Sequence, residues 1–400
     1  MSGRVGDLSD KQQAALNQFK RVCSSLLTQD WHDDHYCLRW LRARNFNVEA
    51  SKNMLEKSVD FRRRYRLDHI LEEFKPNPGI KAIFPGGTCG FSKDGGCIMI
   101  YPLTNILPKY FLQIARRSQV IKMLMHRMEE SLLVLREQGK KLGRIIEGHT
   151  LIFDVEGFDI MANISAVSIS VFTELVGAYE CNYPEYLVHA IIINAPPIFH
   201  LFFNMIKPLL NAPTLEKVKI YGKDRAQWMA ALLEIANPEE LPVKFGGTRT
   251  GPGNDPNCEH EVVYVHKLNQ EIIHELQNLI SEEDRMRQIT VARRSHTDVS
   301  IVITGPGAGL FVEFESDGHD IALSLLCRTS EDDIGEILPM KRYDSHTGPV
   351  VFTVCCDVAG EYLLRFDNSY SSFRSKRISY NFKIIPAANL NEKMLFVHEP

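Results

Sequence analysis

Apolar residues recur at intervals of three and four positions through the first 75 residues of the chain. Between positions 10 and 27, the apolar residues at this spacing are Ala14, Leu16, Phe19, Val22 and Leu26. Amphipathic spacing continues over residues 36–44 and 48–66. One apolar stripe per segment is typical of amphipathic helices, so the pattern predicts an all-α helical module over residues 1–75.

Between residues 76 and 248, short apolar runs alternate with longer helical stretches. The runs of strand length are residues 97–103, 150–155, 187–194 and 218–221. The helix predicted over residues 116–138 ends at a left-handed cap that we assign to Gly139. Strands that are apolar on both faces are buried on both faces, so this segment is predicted to be an α/β domain with a mostly parallel sheet and crossover helices.

Beyond a turn-rich linker over residues 249–259, short strand-like runs follow one another with turn-forming sequences between them. Many of these runs alternate apolar with polar positions. The pattern predicts an all-β antiparallel sandwich over residues 260–386, with one helical insert at residues 269–280 and a tail over residues 387–400.

Composition and charge narrow the class of protein. With 44% hydrophobic and 24% charged residues, the 400-residue chain has the composition of a folded globular protein. Its net charge of −4 argues against sequence-independent binding to nucleic acid. The most apolar stretch, residues 187–203, contains polar residues and two prolines, and so falls short of the roughly 18 apolar residues of a membrane span. The opening residues lack a signal-peptide pattern, and we expect a cytoplasmic protein.

Motifs of common catalytic sites are missing from the chain. It has no GxxxxGK[ST], GxSxG or HExxH sequence, and its nine cysteines lack the spacing of zinc ligands. Asp154 and Glu156 follow a predicted strand, where an α/β fold can place an acid–base pair. The alternative, which we favour, is that these carboxylates cap the turn at Gly157. We therefore expect neither catalysis nor a bound metal.

The segment at residues 196–210 is unusually apolar for a helix of a water-soluble domain. Its large apolar residues include Ile198, Phe199, Leu201, Phe202, Phe203, Met205 and Ile206. A helix that is apolar around its circumference must be buried on every side or must meet lipid. One interpretation is a buried crossover helix; the other is a movable gate over an apolar cavity.

The free-energy cost of moving a lipid through water shows why a lipid carrier would need such a gate. Extracting a two-chain lipid from a bilayer exposes on the order of 30 methylenes at ~0.8 kcal/mol each, or roughly 25 kcal/mol in total. Only an apolar container that replaces the membrane can offset this cost. The aromatic side chains Phe199, Phe202 and Phe203 suit a gate that closes in water and opens at a membrane.

Several long motifs resemble the CRAL-TRIO lipid-transfer family. They are LRWLRARNFN at residues 38–47, IFD at 152–154, the run from NYPEYLVHA to LEKVKIYG at 182–222, and LPVKFGG at 241–247. The resemblance covers residues 1–247 and implies a helical module followed by a lipid-binding domain. The remainder, which includes LRFDNSY at residues 364–370, resembles a GOLD domain, a β-sandwich of Golgi trafficking proteins.

The resemblance implies a set of headgroup-binding residues. In phosphatidylinositol-transferring members, the matching positions hold the inositol phosphate, and here they are Arg44, Glu185, Thr214 and Lys217. Arginine and lysine neutralise phosphate, while glutamate and threonine hydrogen-bond to ring hydroxyls. Members that also bind phosphatidylcholine carry small hydroxyl residues where this chain has His149 and Leu151. An apolar pocket there suits a sterol precursor or a tocopherol-like ligand.

The expected function is that of a cytosolic carrier, not an enzyme, which binds phosphatidylinositol, tocopherol or a squalene-like lipid and transfers or presents it between membranes. The expected gate and cavity residues are Ile198, Phe199, Phe202, Phe203, Met205, Ile206 and Leu151. The bound lipid is the one ligand expected, without a further cofactor. Expected partners are a membrane surface, touched transiently, and a protein that binds the GOLD-like sandwich. The alternative is a lipid-sensing trafficking or signalling adaptor that acts without net transfer.

A basic cluster lies at the end of the last long helix predicted in the helical module. It consists of Arg62, Arg63, Arg64 and Arg66. Such a run is either a solvated face that compensates the helix dipole or a contact to an anionic membrane leaflet.

Overall fold

The computed structural model describes residues 2–280, 286–330, 333–346, 348–390 and 396–397. These residues form two compact units that divide between Leu279 and Ile280. In the first unit, the helices are α1 (Asp10–Val22), α2 (Asp34–Arg42), α3 (Val48–Tyr65), α4 (Ile70–Glu73), α5 (Pro78–Ile83), α6 (Pro108–Ile114), α7 (Arg117–Leu142), α8 (Ile160–Asn163), α9 (Ala166–Asn182), α10 (Phe199–Ile206), α11 (Ala212–Glu216), α12 (Arg225–Ile235) and α13 (Gln270–Asn278). Its strands are β1 (Gly87–Phe91), β2 (Cys97–Pro102), β3 (His149–Asp154), β4 (Leu187–Ile193) and β5 (Val218–Ile220).

The predicted helical module is confirmed. Helix α1 begins with a capping box between Ser9 and Gln12, in which each side chain accepts from the other residue's backbone N–H. The buried side chains that join α1, α2 and α3 include Leu16, Phe19, Leu38, Trp40, Leu41 and Leu55. The three- and four-residue spacing of the sequence thus becomes one shared apolar core.

The predicted α/β domain is confirmed as a five-stranded sheet in the order β1-β2-β3-β4-β5. Strands β2 to β5 pair in parallel, and β1 pairs antiparallel with β2. One face of the sheet carries fully buried isoleucines, among them Ile152 and Ile191, which pack with Trp228 of α12. The opposite face, with Leu151 and Ala190, packs with helices α7 and α9.

Helix α7 differs from its prediction at its carboxyl end. It continues to Leu142, and the left-handed cap is Gly143, with a φ of 64°, instead of Gly139. Lysines at positions 140 and 141 are good helix formers, so one more turn is stable. Gly139 lies within the helix, where a Cβ would stand 2.9 Å from the carbonyl oxygen of Arg144.

The segment at residues 249–279 also differs from its prediction, because it belongs to the first unit. Cys258 and Val262 are fully buried in the same cluster as Phe245, on the isoleucine face of the sheet. The run at residues 262–266 alternates like a strand but makes only an isolated bridge between Val263 and Gly86. The predicted sandwich boundary at residue 260 therefore moves to the first strand of the second unit, which begins at Arg287.

The second unit is the predicted antiparallel sandwich. Its strands are β6 (Arg287–Val291), β7 (His296–Ile303), β8 (Ala308–Ser316), β9 (Ile321–Ser330), β10 (Asp333–Tyr343), β11 (Val350–Cys356), β12 (Gly360–Asp367), β13 (Lys376–Ile385) and β14 (Phe396–Val397). They form two sheets, in the orders β10-β9-β12-β7 and β14-β11-β8-β13-β6, and all of these pairings are antiparallel. Large side chains from both sheets fill the core, among them Phe314, Phe352, Tyr362 and Phe366. Across the described parts of the two units, no helix is long and apolar enough to cross a membrane.

The sandwich core predicts the effect of one truncation. Phe314 is fully buried, with its ring centroid 5.4 Å from that of Phe366 and 5.8 Å from that of Tyr343. Phe314→Ala is expected to lower the free energy of unfolding of the sandwich by about 3–5 kcal/mol, because it removes buried area and leaves a cavity. Urea denaturation followed by circular dichroism measures this. Val302→Ala, at an exposed position of β7, is the control and should change it by less than about 0.5 kcal/mol.

Candidate functional site

Helix α10 follows the carboxyl end of β4 and has two different apolar faces. Its inner residues, Phe199 and Phe202, are buried in a cluster with Phe158 and Ile192. The ring of Phe202 stands 5.0 Å from those of Phe158 and Phe172, edge to face. Its outer face exposes Ile198 by 41%, Leu201 by 43% and Met205 by 46%. The segment is thus neither buried on every side nor amphipathic in the usual sense, since apolar side chains point both inward and outward.

The sheet face under α9 and α10 retains accessible surface. Phe153 lies on the central strand β3, yet it is only half-buried, as are Phe172 of α9 and Phe203 of α10. Tyr179 is enclosed by protein, and burial raises the pKa of its phenol well above the usual value, but part of its surface is also accessible. Partly accessible aromatic side chains of this kind show that this face is less closely covered than a packed core. The isoleucine face of the same sheet has no such side chain among Ile98, Ile100, Ile152, Ile191 and Ile193.

Two of the predicted headgroup residues meet at the amino ends of the strands. The Lys217 ammonium, just before β5, lies 3.7 Å from the carboxylate of Glu185, just before β4. Glu185 has a φ of 63°, in the left-handed region that side chains other than glycine rarely adopt. Such strain is tolerated where the surrounding structure fixes it, and it often marks a functional site.

Thr214 lies three residues before Lys217 on α11, beside a second carboxylate. The Thr214 N–H donates to the Asn211 side chain at 2.9 Å, and the Asn211 amide in turn donates to Glu180. Burial raises the pKa of Glu180, whereas its hydrogen bond with the Thr214 hydroxyl lowers it. Thr214 and Lys217 thus lie on α11 and at its carboxyl-terminal cap, and each is beside a carboxylate.

Arg44 is not among the residues that contact Glu185. Its guanidinium donates to the neighbouring carbonyl of Ala43 at 2.8 Å. The contacts come instead from Arg42, whose Nε lies 3.7 Å from the Glu185 carboxylate, and from Arg39, which donates to the Glu185 carbonyl at 2.9 Å. Both arginines are in the motif LRWLR, where their three-residue spacing places them on one helix face. That spacing is the signal in the sequence from which they could have been found.

The cluster around Glu185 has an excess of positive charge. Arg39 and Arg42 both approach Glu185, and Arg39 also lies 4.0 Å from Glu147. Burial lowers the pKa of Arg42, and its Nε has no hydrogen-bond partner. With Lys217 and with Arg4, which lies 2.7 Å from Glu147, four cations face two carboxylates, and the Arg42 Nε is left without a hydrogen bond. A phosphate oxygen is an acceptor that this arrangement can hold.

His149 and Leu151 lie on β3, facing α9. The His149 Nε2 lies 3.0 Å from the Tyr179 hydroxyl, and its Nδ1 has no hydrogen-bond partner. The hydroxyl of Tyr101, on the next strand, also has none. Buried polar groups of this kind usually have a partner, so a ligand with a hydroxyl or carbonyl group could satisfy them. Leu151, by contrast, offers only apolar surface.

Arg62, the first member of the basic cluster, is turned into the protein, which fits neither a solvated face nor a membrane contact. Its guanidinium lies 2.8 Å from Glu129 of α7 and 2.6 Å from Asp68, and the side chain is largely buried. Arg63 and Arg66 also pair with nearby carboxylates but remain more exposed. The cluster is therefore divided, because its first member ties α3 to α7 and points away from solvent.

Asp154 has the capping role that we favoured over catalysis. It is fully buried, and its carboxylate accepts the Glu156 N–H at 3.1 Å and the Asn194 side-chain amide at 2.8 Å. Lys244 lies 3.4 Å from its other oxygen. Glu156 itself is exposed. The two carboxylates thus have different environments, and Asp154 joins the carboxyl ends of β3 and β4.

One group of possible metal ligands is brought together outside this site. Atoms of Cys89, Cys258 and Glu261 lie within 4.8 Å of one another. Arg249 donates to Glu261 at 2.6 Å, and burial raises the pKa of both thiols. The two cysteines also belong to the buried cluster on the isoleucine face of the sheet.

His149 predicts a pH dependence of stability. Burial, followed by the charge of Arg39, lowers the pKa of its imidazole to about 3 from 6.5. Below pH 6.5 the unfolded chain gains a proton that the folded chain does not, so stability falls as the pH drops from 6.5 toward 3, by about 1.4 kcal/mol per pH unit. His149→Phe should remove this part of the slope. Urea denaturation between about pH 7 and pH 5 measures it; parallel curves for His149→Phe and the exposed control His346→Phe would contradict the prediction.

Comparison with known proteins identifies two family domains in the first unit. The CRAL/TRIO, N-terminal domain matches residues 15–57, and the CRAL/TRIO domain matches residues 84–247. The chain is 25% identical to protein ctg-1 of Caenorhabditis elegans over 363 residues, which are 88% of this chain and 91% of ctg-1. It is 28% identical to protein real-time of Aedes aegypti over 246 residues, which are 61% of this chain and 38% of that protein.

Among solved structures, the crystal structure of Sfh5 has the same fold. It matches with a TM-score of 0.51 and 15% sequence identity, over 68% of this chain and 97% of that one. The resemblance predicted from the motifs is therefore confirmed for the first unit. Over its two matched segments the chain belongs to the CRAL/TRIO family, whose members bind and transfer lipids.

Proposed function

We propose that the chain is a gated carrier that takes one lipid from a membrane, shields it on the α9–α10 face of the sheet, and releases it to another membrane. The observation that supports this most directly is the outer face of α10. Ile198, Leu201 and Met205 leave apolar surface in water on a helix whose inner face already covers an aromatic cluster. Such a helix can exchange its water-facing side for lipid.

The proposed lipid lies along the strands. Glu185 and Lys217 mark the amino ends of β4 and β5, whereas α10 follows the carboxyl end of β4. A seven-residue strand spans about 20 Å, and half of a bilayer's hydrocarbon core is about 15 Å thick. A headgroup at Lys217 would therefore leave room for acyl chains to reach Phe153 and the inner face of α10.

Two classes of ligand fit different parts of this site. An inositol phospholipid would use the cationic cluster of Arg39, Arg42 and Lys217, with Arg44 and Thr214 as further headgroup contacts. A tocopherol or a squalene-like lipid has no phosphate and would depend on the apolar face. In that case the unpaired His149 Nδ1 and Tyr101 hydroxyl would meet the single polar group of tocopherol.

The general test is native mass spectrometry of the purified full chain, followed by a vesicle-to-vesicle transfer assay. A bound lipid together with net transfer supports a carrier. A bound lipid without transfer would favour the adaptor alternative, in which the ligand only sets the conformation. A chain that binds no lipid when incubated with vesicles would overturn the proposal.

Lys217→Ala is expected to weaken uptake of phosphatidylinositol by about 10- to 100-fold, because a charge-assisted hydrogen bond contributes roughly 1.5–3 kcal/mol. Uptake of tocopherol or squalene should be nearly unchanged. The amount of each lipid that the protein extracts from vesicles measures both. Lys219→Ala is the matched control, since Lys219 lies two residues further on and is exposed. Equal losses for both lipid classes would contradict the headgroup assignment.

The double variant Leu201→Gln, Met205→Gln is expected to slow transfer by at least about tenfold, because it removes apolar contact with the membrane. Lipid that is already bound should remain bound, since the inner face of α10 is intact. The matched control is Leu133→Gln, Leu142→Gln, which changes two leucines of similar exposure on α7. The idea fails if both double variants transfer a fluorescent lipid at the same rate.

A further inference from the structure

An open polar pocket of 280 Å³ lies on the sandwich unit. Its lining residues are His319, Asp320, Tyr370, Ser371, Arg374 and Lys376. They come from the β8–β9 loop, the β12–β13 loop and the first residue of β13. Two loops at one end of the sandwich therefore build the pocket, which lies outside the hydrophobic core of the sandwich.

The pocket holds more positive than negative charge. Lys376 is buried, with its ammonium 3.2 Å from the Asp320 carboxylate and 2.9 Å from the Tyr370 hydroxyl. Arg342, at the end of β10, pairs with the same carboxylate, and its guanidinium lies 4.2 Å from the Tyr370 ring centroid. One carboxylate thus serves two cations, and Arg374 adds a third at the rim. An anion such as phosphate complements this charge.

The β12–β13 loop is held in place by its first residue. Asn368 is fully buried, and its side-chain amide donates to the carbonyls of Val291, Ala292 and Arg374 at 3.3, 3.2 and 2.9 Å. The backbone N–H of Arg294 donates to the Asn368 carbonyl at 3.1 Å. The loop is therefore a fixed platform, and the β6–β7 loop with its own arginines is attached to it.

Phe373 protrudes from this platform. It exposes 88% of its surface, more than any other large hydrophobic side chain in the described part of the chain. It does not line the pocket, although its neighbour Arg374 does. A peptide bound in the pocket would leave this ring in water, whereas a bilayer interface can take the ring while its phosphates meet the cations.

The surrounding segments are basic in a chain that is acidic as a whole. Residues 292–296, 317–320, 342–345 and 368–377 carry six arginine or lysine residues and three aspartates. The net charge of the whole chain is −4. Positive charge is therefore concentrated at this end of the sandwich, which is the pattern that an anionic leaflet attracts.

We propose that this end of the sandwich is a docking surface for an anionic phospholipid bilayer. Phe373 enters the interfacial region, Arg342 and Arg374 bind headgroup phosphates, and the buried Lys376 adds positive charge behind them. The proposal concerns where the second unit binds and is independent of lipid carriage by the first unit.

The direct test places a fluorescent tryptophan at position 373. In the full-length chain, Phe373→Trp should show a blue-shifted emission with vesicles of phosphatidylcholine and phosphatidylserine, and brominated lipids should quench it beyond the quenching of the parent protein. Vesicles of phosphatidylcholine alone should give a much smaller effect. Val302→Trp, at another exposed apolar position of the same unit, should report neither change. Because the reporter is local, membrane contact through α10 cannot produce this signal.

Binding variants complete the test. Phe373→Ser and Arg374→Glu should each reduce sedimentation with the anionic vesicles by about fivefold or more, because each removes one interfacial contact. Arg287→Glu, at the opposite end of β6, is the matched charge control and should bind like the parent. Unchanged tryptophan emission with anionic vesicles would overturn the proposal. The proposal is also overturned if a polyglutamate peptide binds this end of the sandwich while the anionic vesicles leave the emission of Phe373→Trp unchanged. The surface would then bind an acidic protein partner.

Discussion

The first unit depends on the two apolar faces of α10. One face covers an aromatic cluster, and the other is exposed to water. Burying the outer face of α10 against protein would need another layer, and making it polar would remove its affinity for lipid. The free energy of leaving Leu201 and Met205 in water is a few kcal/mol at most. This is small beside the roughly 25 kcal/mol needed to move an unshielded lipid through water. The modest cost of exposure is thus compatible with the carrier function that we propose.

The two faces of the sheet are packed differently. The isoleucine face is dry and closed by α12, Phe245 and the segment around Val262, so it holds the unit together. The opposite face keeps half-buried aromatic rings, and polar groups gather only at the ends of its strands. Parallel pairing places all amino ends at one edge and all carboxyl ends at the other. For this reason a cationic cluster and an apolar lid can be built at opposite ends of the same strands.

The sequence pattern predicted the architecture well because each layer has its own period. Runs without polar alternation identified the parallel strands, and turns between alternating runs identified the sandwich. Local pattern could not separate residues 260–266 from the sandwich, since their alternation reflects packing of Val262 against the first unit. Local pattern also could not tell which of three nearby arginines contacts Glu185. Motif matching selected Arg44, whereas Arg39 and Arg42 share the helix face that meets Glu185. The ion pair of Arg62 was missed for a similar reason, because its partner Glu129 is 67 positions away.

The two ends of the lipid-binding face are held by different kinds of interaction. At the amino end, directional polar bonds tie α3 to α7 and α9, with Arg62 bound to Glu129 and the Ser58 hydroxyl donating to Asn182 at 2.8 Å. At the carboxyl end, α10 is seated by ring contacts such as Phe158 with Phe202. A buried ion pair is costly to separate, whereas ring contacts can be replaced by contacts with acyl chains at little cost. Under the proposed function, the polar bonds would therefore hold the headgroup end in place, whereas the ring contacts would let the α10 end open.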